Sequence, residues 1–433
     1  GEKVILVRHE TSADDVHGMS AARGILTARG GMTSHAAVVA RGMGKSCVAG
    51  CAAIAIDYKK QRFEVDGLTV SKGDVITLDG GTGEVILGEV PTIAPEVKGE
   101  LGRLLDWADE VARLKVKANA DSPSDARLAR SFGAKGIGLC RTEHMFFQPE
   151  RLLALRRGIL AGDDREKRIE ALAEILPMQR EDFLHIFREM EGLPVAIRLL
   201  DPPLHEFLVD ERGLQALAED MELPVEELRA KVEALREANP MLGHRGCRLG
   251  ITVPELSEIQ VQAIMEAACQ LRREEGRAIP EIMIPLIAHV GELKVLKDLL
   301  VSVCERVKES QGVTDIDYRI GIMVELPRAA ITASQLAPLV NFFSFGTNDL
   351  TQTVFGLSRD DSATFLPYYL EKGILSRDPF ITLDQTGVGE LMETGVRRGR
   401  EANPELEIGI CGEHGGDPES IEFCHRAGLD YVS

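Results

Sequence analysis

The sequence predicts an α/β fold, a small β-rich domain followed by a (β/α)8 TIM-type barrel. Short β-type runs interrupted by glycine occupy the first 90 residues. From Leu114 onward, short apolar runs alternate with helical stretches, which is typical of a parallel sheet with helical crossovers. Eight or nine strand–helix units follow one another there, and this number is typical of a barrel.

We place the β-rich domain at residues 1–90, a linker at 91–113 and the barrel at 114–433. The strands predicted in the first domain are 4–7, 63–67, 75–81 and 84–88. The strands predicted in the barrel are 114–119, 136–140, 194–200, 281–287, 318–325, 341–346, 406–411 and 429–432, with a weaker ninth at 242–249. Two long helical insertions, 148–192 and 210–238, enlarge the barrel.

Composition argues against several classes of partner. The formal net charge of −19 disfavours nucleic acid and acidic membranes, which bind basic surfaces. No apolar run approaches the ~18 residues that a membrane helix needs. The eight cysteines are scattered without a CxxC pair, which indicates a reducing, cytoplasmic setting. An anionic substrate must therefore meet local arginines or a metal ion.

The glycine-flanked stretch GGMTSHAAVVARGMG, residues 30–44, places one histidine at the start of a short predicted helix. Thr33 and Ser34 are good N-cap residues, and Gly44 suits the end of the helix. At a helix N-terminus, backbone N–H groups and the helix dipole favour a neutral imidazole that bears an anion. We interpret His35 as a phosphoryl carrier; the alternative is a histidine that only caps or packs the helix.

Polar residues follow the predicted barrel strands where each strand ends, the position at which barrel enzymes carry their active sites. Arg141 and Arg198 can hold a phosphate by paired hydrogen bonds, with Arg245 as a weaker third candidate. Glu325 and Asp349 can hold Mg²⁺ together with substrate oxygens and water. For each of these side chains, the alternative is a structural ion pair or a solvated charge.

Two further strand ends carry groups suited to a small carboxylate substrate. Gly346, Thr347 and Asn348 offer backbone and amide donors immediately before Asp349. Cys411 lies in a glycine-rich turn, from which a thiol could donate a proton to a planar carbon. Most single cysteines are instead small buried apolar residues, and that alternative stays open.

Five stretches resemble, in matching order, the family of enzymes that use phosphoenolpyruvate (PEP). These stretches are residues 30–44, GLCRTEHMFF at 138–147, LDPPLHEF at 200–207, FFSFGTNDLTQ at 342–352 and CGEHGGDP at 411–418. Met32 and His144 are typical of the pyruvate, phosphate dikinase group. PEP synthase and the first enzyme of the sugar phosphotransferase system carry related versions and remain the alternative within the family.

The resemblance implies a swivelling phosphohistidine domain joined to a barrel that forms a homodimer. It implies that His35 takes the phosphoryl group from PEP and that pyruvate is released. The implied roles are phosphate binding by Arg141 and Arg198, Mg²⁺ binding by Glu325 and Asp349, substrate binding by Gly346, Thr347 and Asn348, and proton donation by Cys411. Thr33 matches a position that some members phosphorylate as a switch, because a phosphate beside His35 repels an incoming one.

The complete family reaction is ATP + pyruvate + phosphate = AMP + PEP + diphosphate, and it requires a nucleotide-binding domain. Nothing in this sequence resembles that domain, so we expect only the PEP/pyruvate half-reaction from this chain. We also expect the first domain to be N-terminally incomplete and the barrel to be C-terminally incomplete, and if the missing last strand completes the barrel, the fold is cut open. A different class of function, a non-catalytic remnant that accepts a phosphoryl group from a partner, is the remaining alternative.

Overall fold

The computed structural model describes residues 4–11, 16–31, 34, 36–37, 40, 45–91, 99–162, 164–209, 213–237, 239–359 and 361–433. The chain divides into two compact units, residues 1–97 and 98–433. His35 and Thr33, the predicted carrier and its regulatory neighbour, lie outside the described residues. The predicted roles of these two residues therefore stay predictions.

The first unit is a small β-rich domain, as predicted. Its described strands are β1 (Ile5–Arg8), β2 (Gly24–Thr27), β3 (Ser46–Val48), β4 (Ala55–Asp57), β5 (Arg62–Val65), β6 (Leu68–Ser71), β7 (Ile76–Asp79) and β8 (Glu84–Leu87). Strands β1, β2 and β3 form a parallel sheet, β4 to β6 an antiparallel sheet, and β7 and β8 a hairpin. The helix Val16–Ala21 connects β1 with β2. Apolar side chains of both sheets and of the hairpin share one core.

The second unit is a closed parallel barrel. Its strands are β9 (Lys115–Val116), β10 (Ala118–Asn119), β11 (Ile137–Arg141), β12 (Pro194–Arg198), β13 (Ile279–Ile284), β14 (Arg319–Val324), β15 (Phe342–Phe345), β16 (Glu407–Ile410) and β17 (Tyr431–Val432). Strands β9 and β10 are two parts of one extended segment, and they pair with β17 and β11 respectively. The structure contains all eight barrel strands that the sequence predicts, leaving aside the weaker ninth.

The ring closes at its last strand. The Lys115 N–H donates to the Asp430 carbonyl at 2.9 Å, and the Lys117 N–H donates to the Val432 carbonyl at 2.8 Å. The barrel is therefore not cut open at residue 433, because β17 supplies the backbone groups that the first strand needs, and its C-terminal incompleteness stays a prediction.

The weaker ninth strand, 242–249, is also wrong. This stretch forms a 3₁₀ turn, Pro240–Leu242, and the helix Gly246–Thr252. Gly246 has φ +56°, which an extended strand does not allow, and its N–H donates to the Asp201 carbonyl at 3.0 Å. The backbone of this stretch is thus tied to a strand end and is not part of the sheet.

Helices surround the barrel, including the two predicted insertions. The helices of the second unit are Gly99–Val111, Pro123–Ser131, Pro149–Leu160, Arg165–Ala173, Leu176–Glu189, Leu214–Asp220, Val225–Ala234, Gly246–Thr252, Pro254–Arg273, Val290–Gln311, Pro327–Ile331, Ala333–Leu336, Thr347–Phe355, Leu366–Glu371, Val388–Ala402 and Pro418–Ala427. Gly99–Val111 lies within the stretch predicted as a linker, and that linker role stays a prediction. Among the described residues, none of the helices has the length and apolar character needed to cross a membrane.

A buried ion network lies near the beginnings of the barrel strands. The ammonium of Lys117 is 3.1 Å from the Glu281 carboxylate and 3.3 Å from that of Glu407. Arg319 pairs with the same two carboxylates. The Lys117 ammonium also sits 4.0 Å from the ring centroid of Tyr431. At this end of a barrel, such a network serves stability more than catalysis.

Candidate active site

The predicted site residues of the barrel all lie at the carboxyl ends of its strands. Arg141 ends β11 and Arg198 ends β12, and the two are register partners across the parallel pair. Glu325 follows β14, residues 346–349 follow β15, and Cys411 follows β16. Because the strands are parallel and the ring is closed, these ends share one rim. The structure therefore brings the eight barrel residues of the prediction to the same face.

Arg198 is the most enclosed cation of this rim, with 8% of its surface exposed. It pairs with the Glu143 carboxylate and, at 2.9 Å, with Asp201. Burial acts to lower the pKa of Arg198, but the carboxylates of Asp201 and Glu143 outweigh burial and raise it. Arg198 is thus a fixed, permanently charged group.

Arg245 joins Asp201 to the predicted metal ligand Asp349. Its guanidinium lies 2.6 Å from Asp201 and 3.3 Å from Asp349. Burial acts to raise the pKa of Asp201, whereas the neighbouring arginines 198 and 245 bring it below its ordinary value. Asp201 has no role predicted from the sequence, and Arg245 is only the weaker third phosphate-binding candidate. The positions of these two residues could have indicated both of them. Asp201 lies just past the end of β12, and Arg245 immediately precedes Gly246, which lies outside the sheet.

Glu325 occupies the centre of this arrangement. It is 1% exposed, and its Oε1 accepts a hydrogen bond of 2.6 Å from the Leu286 N–H. Burial, followed by the charges of Asp201 and Asp349, raises the pKa of Glu325 well above its ordinary value. Leu286 has φ +59°, a conformation that costs energy for a residue with a branched side chain. This strained backbone presents its N–H to the carboxylate.

We name as the charge cluster the side chains of Glu143, Arg198, Asp201, Arg245, Glu325 and Asp349. Its two arginines and four carboxylates carry an excess of two negative charges when all are ionised. Within the described residues, no three His, Cys, Asp or Glu side chains are grouped as a complete metal site. Any cation at this rim would need further oxygens from substrate or water.

Gly346 and the residues after it pack tightly against neighbouring strand ends. A Cβ on Gly346 would stand 2.8 Å from the Glu325 Oε2 and 2.7 Å from the Met323 methyl, so only glycine fits. The Asp349 Oδ1 accepts a hydrogen bond of 3.0 Å from the Gln352 amide. The close approach at Gly346 therefore places the start of the helix Thr347–Phe355 directly against the side chain of Glu325.

Cys411 is 1% exposed and packs in a separate apolar cluster within the barrel, formed by Leu139, Met283, Met323, Phe342 and Cys411. Burial raises the pKa of the Cys411 thiol to about 11. The group is therefore a protonated thiol at neutral pH, the state that a proton donor requires.

We expect Cys411 to resist alkylation in the folded protein. At pH 8 a pKa of about 11 leaves on the order of one thiol in a thousand ionised, and the thiolate is the reactive form. Under iodoacetamide, Cys51, which is only partly buried, should be modified well before Cys411. Peptide mass spectrometry measures both sites, with urea-unfolded protein as the control. Equal rates in the folded protein would contradict the buried thiol.

Three histidines of the second unit, His144, His244 and His414, each have a polar partner. His144 lies 2.8 Å from Asp121, and this bond raises the pKa of the imidazole. The other oxygen of Asp121 accepts the Arg141 backbone N–H at 2.6 Å. His244 contacts Thr252, and His414 contacts Thr347. Asp121, which the sequence analysis did not select, thus orients the strand end that carries Arg141.

In the first unit, several residues close to the predicted carrier are described. Ala36, Ala37 and Ala40 are helical. The Ala37 N–H donates to the Ser34 hydroxyl oxygen at 3.4 Å, which is a cap contact. Gly30 has φ +109°, a conformation open to glycine.

Two family models match the chain, one for each unit. The model described as "PEP-utilising enzyme, mobile domain" matches residues 1–83, and the model described as "PEP-utilising enzyme, PEP-binding domain" matches residues 96–433.

Several curated proteins are similar to the whole chain. Pyruvate, phosphate dikinase of Rhizobium meliloti (strain 1021) is 56% identical over 436 residues, covering 100% of this chain and 48% of that protein. The proteins named pyruvate, phosphate dikinase from Clostridium symbiosum and pyruvate, phosphate dikinase 1, chloroplastic, from Arabidopsis thaliana are each 54% identical, covering 100% of this chain and 50% and 45% of their own lengths. The chain spans about half the length of the curated relatives it matches.

Proposed function

Because the chain belongs to the family of PEP-utilising enzymes, we propose that it moves a phosphoryl group between PEP and His35 and forms pyruvate. The observation that carries this proposal is the register pairing of Arg141 with Arg198 on the rim that also presents Glu325 and Cys411. Two arginines, carboxylates and a protonated thiol are the groups that a phosphorylated enol requires.

In the proposed step, the arginines hold the phosphoryl group of PEP while a ring nitrogen of His35 attacks phosphorus. The bond between phosphorus and the enol oxygen breaks, and the oxygen keeps the electron pair as an enolate. The Cys411 thiol then gives its proton to the methylene carbon, which becomes the methyl group of pyruvate. The thiolate regains a proton from solvent. The reverse sequence makes PEP from pyruvate and phosphorylated His35.

We propose that Mg²⁺ binds at Glu325 and Asp349. The support is the charge cluster, whose four carboxylates outnumber its two arginines and so fit a divalent cation with oxygen ligands. When bound, the ion supplies stabilisation of the negative charge that develops on the enolate oxygen.

We propose that the complete reaction of the longer protein is that of the dikinases: ATP + pyruvate + phosphate = AMP + PEP + diphosphate. The support is the identity with relatives that carry that name. The two units described above would contribute the PEP/pyruvate half of that reaction, and a nucleotide-binding domain the other half.

Three further proposals concern assembly, compartment and regulation. We propose a homodimer through the barrel, for which the exposed apolar side chains of Tyr368, Ile374 and Ile381 are available. A cytoplasmic setting is supported by eight cysteines that all remain free thiols. Regulation at Thr33 rests on the sequence resemblance.

Labelling by ³²P-PEP with Mg²⁺ tests the proposal. We expect acid-labile, base-stable label on the wild-type chain and its loss in His35→Ala, because only the imidazole of His35 accepts the phosphoryl group. His9→Ala, an exposed histidine of the same unit, is the matched control and should keep the label. Label that persists in His35→Ala, or a folded wild-type chain that takes none, would contradict the proposal.

A further inference from the structure

The turn that follows Cys411 makes direct hydrogen bonds to two of the predicted substrate-binding residues. This turn, the 3₁₀ helix Glu413–Gly416, stands beside the first turn of the helix Thr347–Phe355, which follows β15. The Glu413 N–H donates to the Asn348 Oδ1 at 3.2 Å, and the ring of His414 lies 2.7 Å from the Thr347 hydroxyl. The predicted proton donor and the predicted substrate ligands are thus joined by a shared set of contacts.

The partners of His414 fix its tautomer. Its Nε2 lies 2.8 Å from the Pro379 carbonyl oxygen, which can only accept, so Nε2 carries the hydrogen. His414 is fully buried, and burial lowers its pKa, so the ring is neutral near pH 7. In a neutral ring with a protonated Nε2, Nδ1 is an acceptor. The Thr347 hydroxyl must therefore donate to it.

These bonds also determine which groups at the N-terminus of this helix are left for a ligand. The Thr347 hydroxyl hydrogen is committed to His414, so Thr347 can offer a ligand its backbone N–H but not its hydroxyl donor. The Asn348 oxygen is committed to the Glu413 N–H, so the side chain offers its Nδ2 donors. Donors of this kind match the oxygens of a carboxylate or an enolate.

We propose that His414 is a positioning residue, which holds the first turn of the helix Thr347–Phe355 through the Thr347 hydroxyl so that Asn348 presents its amide donors to the carboxylate of the substrate. This inference rests on the proposed PEP/pyruvate function and adds to it a residue that never touches the ligand. Gly412 fits the same arrangement, because a Cβ there would overlap the Thr347 hydroxyl. Only a glycine at position 412 allows the turn to approach Thr347 this closely.

If the role of His414 were purely structural, its other hydrogen bond, to the Pro379 carbonyl, would be the one that matters. Two amide variants separate the bonds. In His414→Asn the short side chain places its oxygen near the position of Nδ1, which keeps an acceptor for Thr347 and gives up Pro379. In His414→Gln the longer side chain places its nitrogen near the position of Nε2, which keeps the donor to Pro379 and gives up Thr347.

The experiment titrates the full chain with oxalate in the presence of Mg²⁺ by calorimetry. Oxalate is a planar dianion whose adjacent oxygens resemble the carboxylate and enolate oxygens of enolpyruvate, and its binding does not require His35. We expect His414→Asn to bind within about threefold of wild type and His414→Gln to bind about tenfold more weakly, as for one lost hydrogen bond. Adding Thr347→Val to His414→Gln should weaken binding less than twofold further, because the shared bond is already gone.

The outcomes separate the inference from the function on which it rests. If the wild type binds oxalate and His414→Asn is weakened as much as His414→Gln, or neither is weakened, His414 is not a positioning residue for this helix N-terminus. If the folded wild type binds no oxalate, the proposed function fails and the inference fails with it. Thermal unfolding of each variant is the parallel readout, and a positioning role predicts that the affinities differ even where the unfolding temperatures agree.

Discussion

Replacing Cys411 with alanine is expected to slow the exchange of label between pyruvate and PEP by about 10²- to 10⁴-fold, the range that general acid catalysis supplies. The exchange requires proton transfer at the methyl carbon in both directions. The thiol stands at the end of β16, and its pKa of about 11 keeps it protonated across the neutral range. Alanine removes the sulfur, which is the only atom of this side chain that could carry the proton, and it changes the side-chain volume little.

The measurement uses ¹⁴C-pyruvate, PEP and Mg²⁺ with the His35-phosphorylated chain. Cys140→Ala is the matched control, because Cys140 is equally buried on β11 but packs in the main apolar core. We expect Cys140→Ala to exchange within about threefold of wild type, since truncating a buried apolar residue affects stability before chemistry. Oxalate binding should be nearly unchanged in both variants. Exchange by Cys411→Ala above a tenth of the wild-type rate would remove the thiol from the mechanism.

The barrel could be predicted from sequence because its strands are buried on both faces and read as short continuous apolar runs. Phe342, Phe343 and Phe345, for example, are all buried on β15. The rule that places active sites at strand ends then selected Arg141 and Arg198 without any coordinates. The same reasoning wrongly predicts a strand at 242–249, because this stretch has a few apolar residues among glycines.

The first domain was less predictable, since its strands are only three or four residues long. β2, β3, β4 and β6 were missed, and β2 is a four-residue run whose burial comes from the surrounding sheets and helix. Such short runs have no measurable period, so tertiary packing decides their conformation.

The pairing of charges at the rim also could not be predicted from the sequence. Strand ends show which side chains share a face, but they do not show that Arg245 bridges Asp201 and Asp349, residues 44 and 104 positions away. The bond between His414 and Thr347 spans 67 positions and depends on a buried ring whose partners only the fold supplies. Local patterns carry no information about such contacts.

Replacing Lys117 with methionine is expected to lower the free energy of unfolding by about 3–5 kcal/mol, because removing one member of a buried ion network leaves its partners uncompensated. Glu281 is fully buried, and Lys117 is its neighbour at 3.1 Å. Urea unfolding followed by circular dichroism measures the change. Lys60→Met removes a similar side chain from an exposed pair with Asp57, and it should change stability by less than about 1 kcal/mol.

The double variant Lys117→Met with Glu281→Met separates charge balance from simple loss of contacts. It leaves Arg319 paired with Glu407, so one cation again faces one carboxylate. If uncompensated charge is the cause, the second substitution should recover more than half of the loss, because balanced apolar replacement of a buried pair is often close to neutral. If the double variant is less stable than the single one, the network stabilises the barrel through its contacts and not through its charge balance.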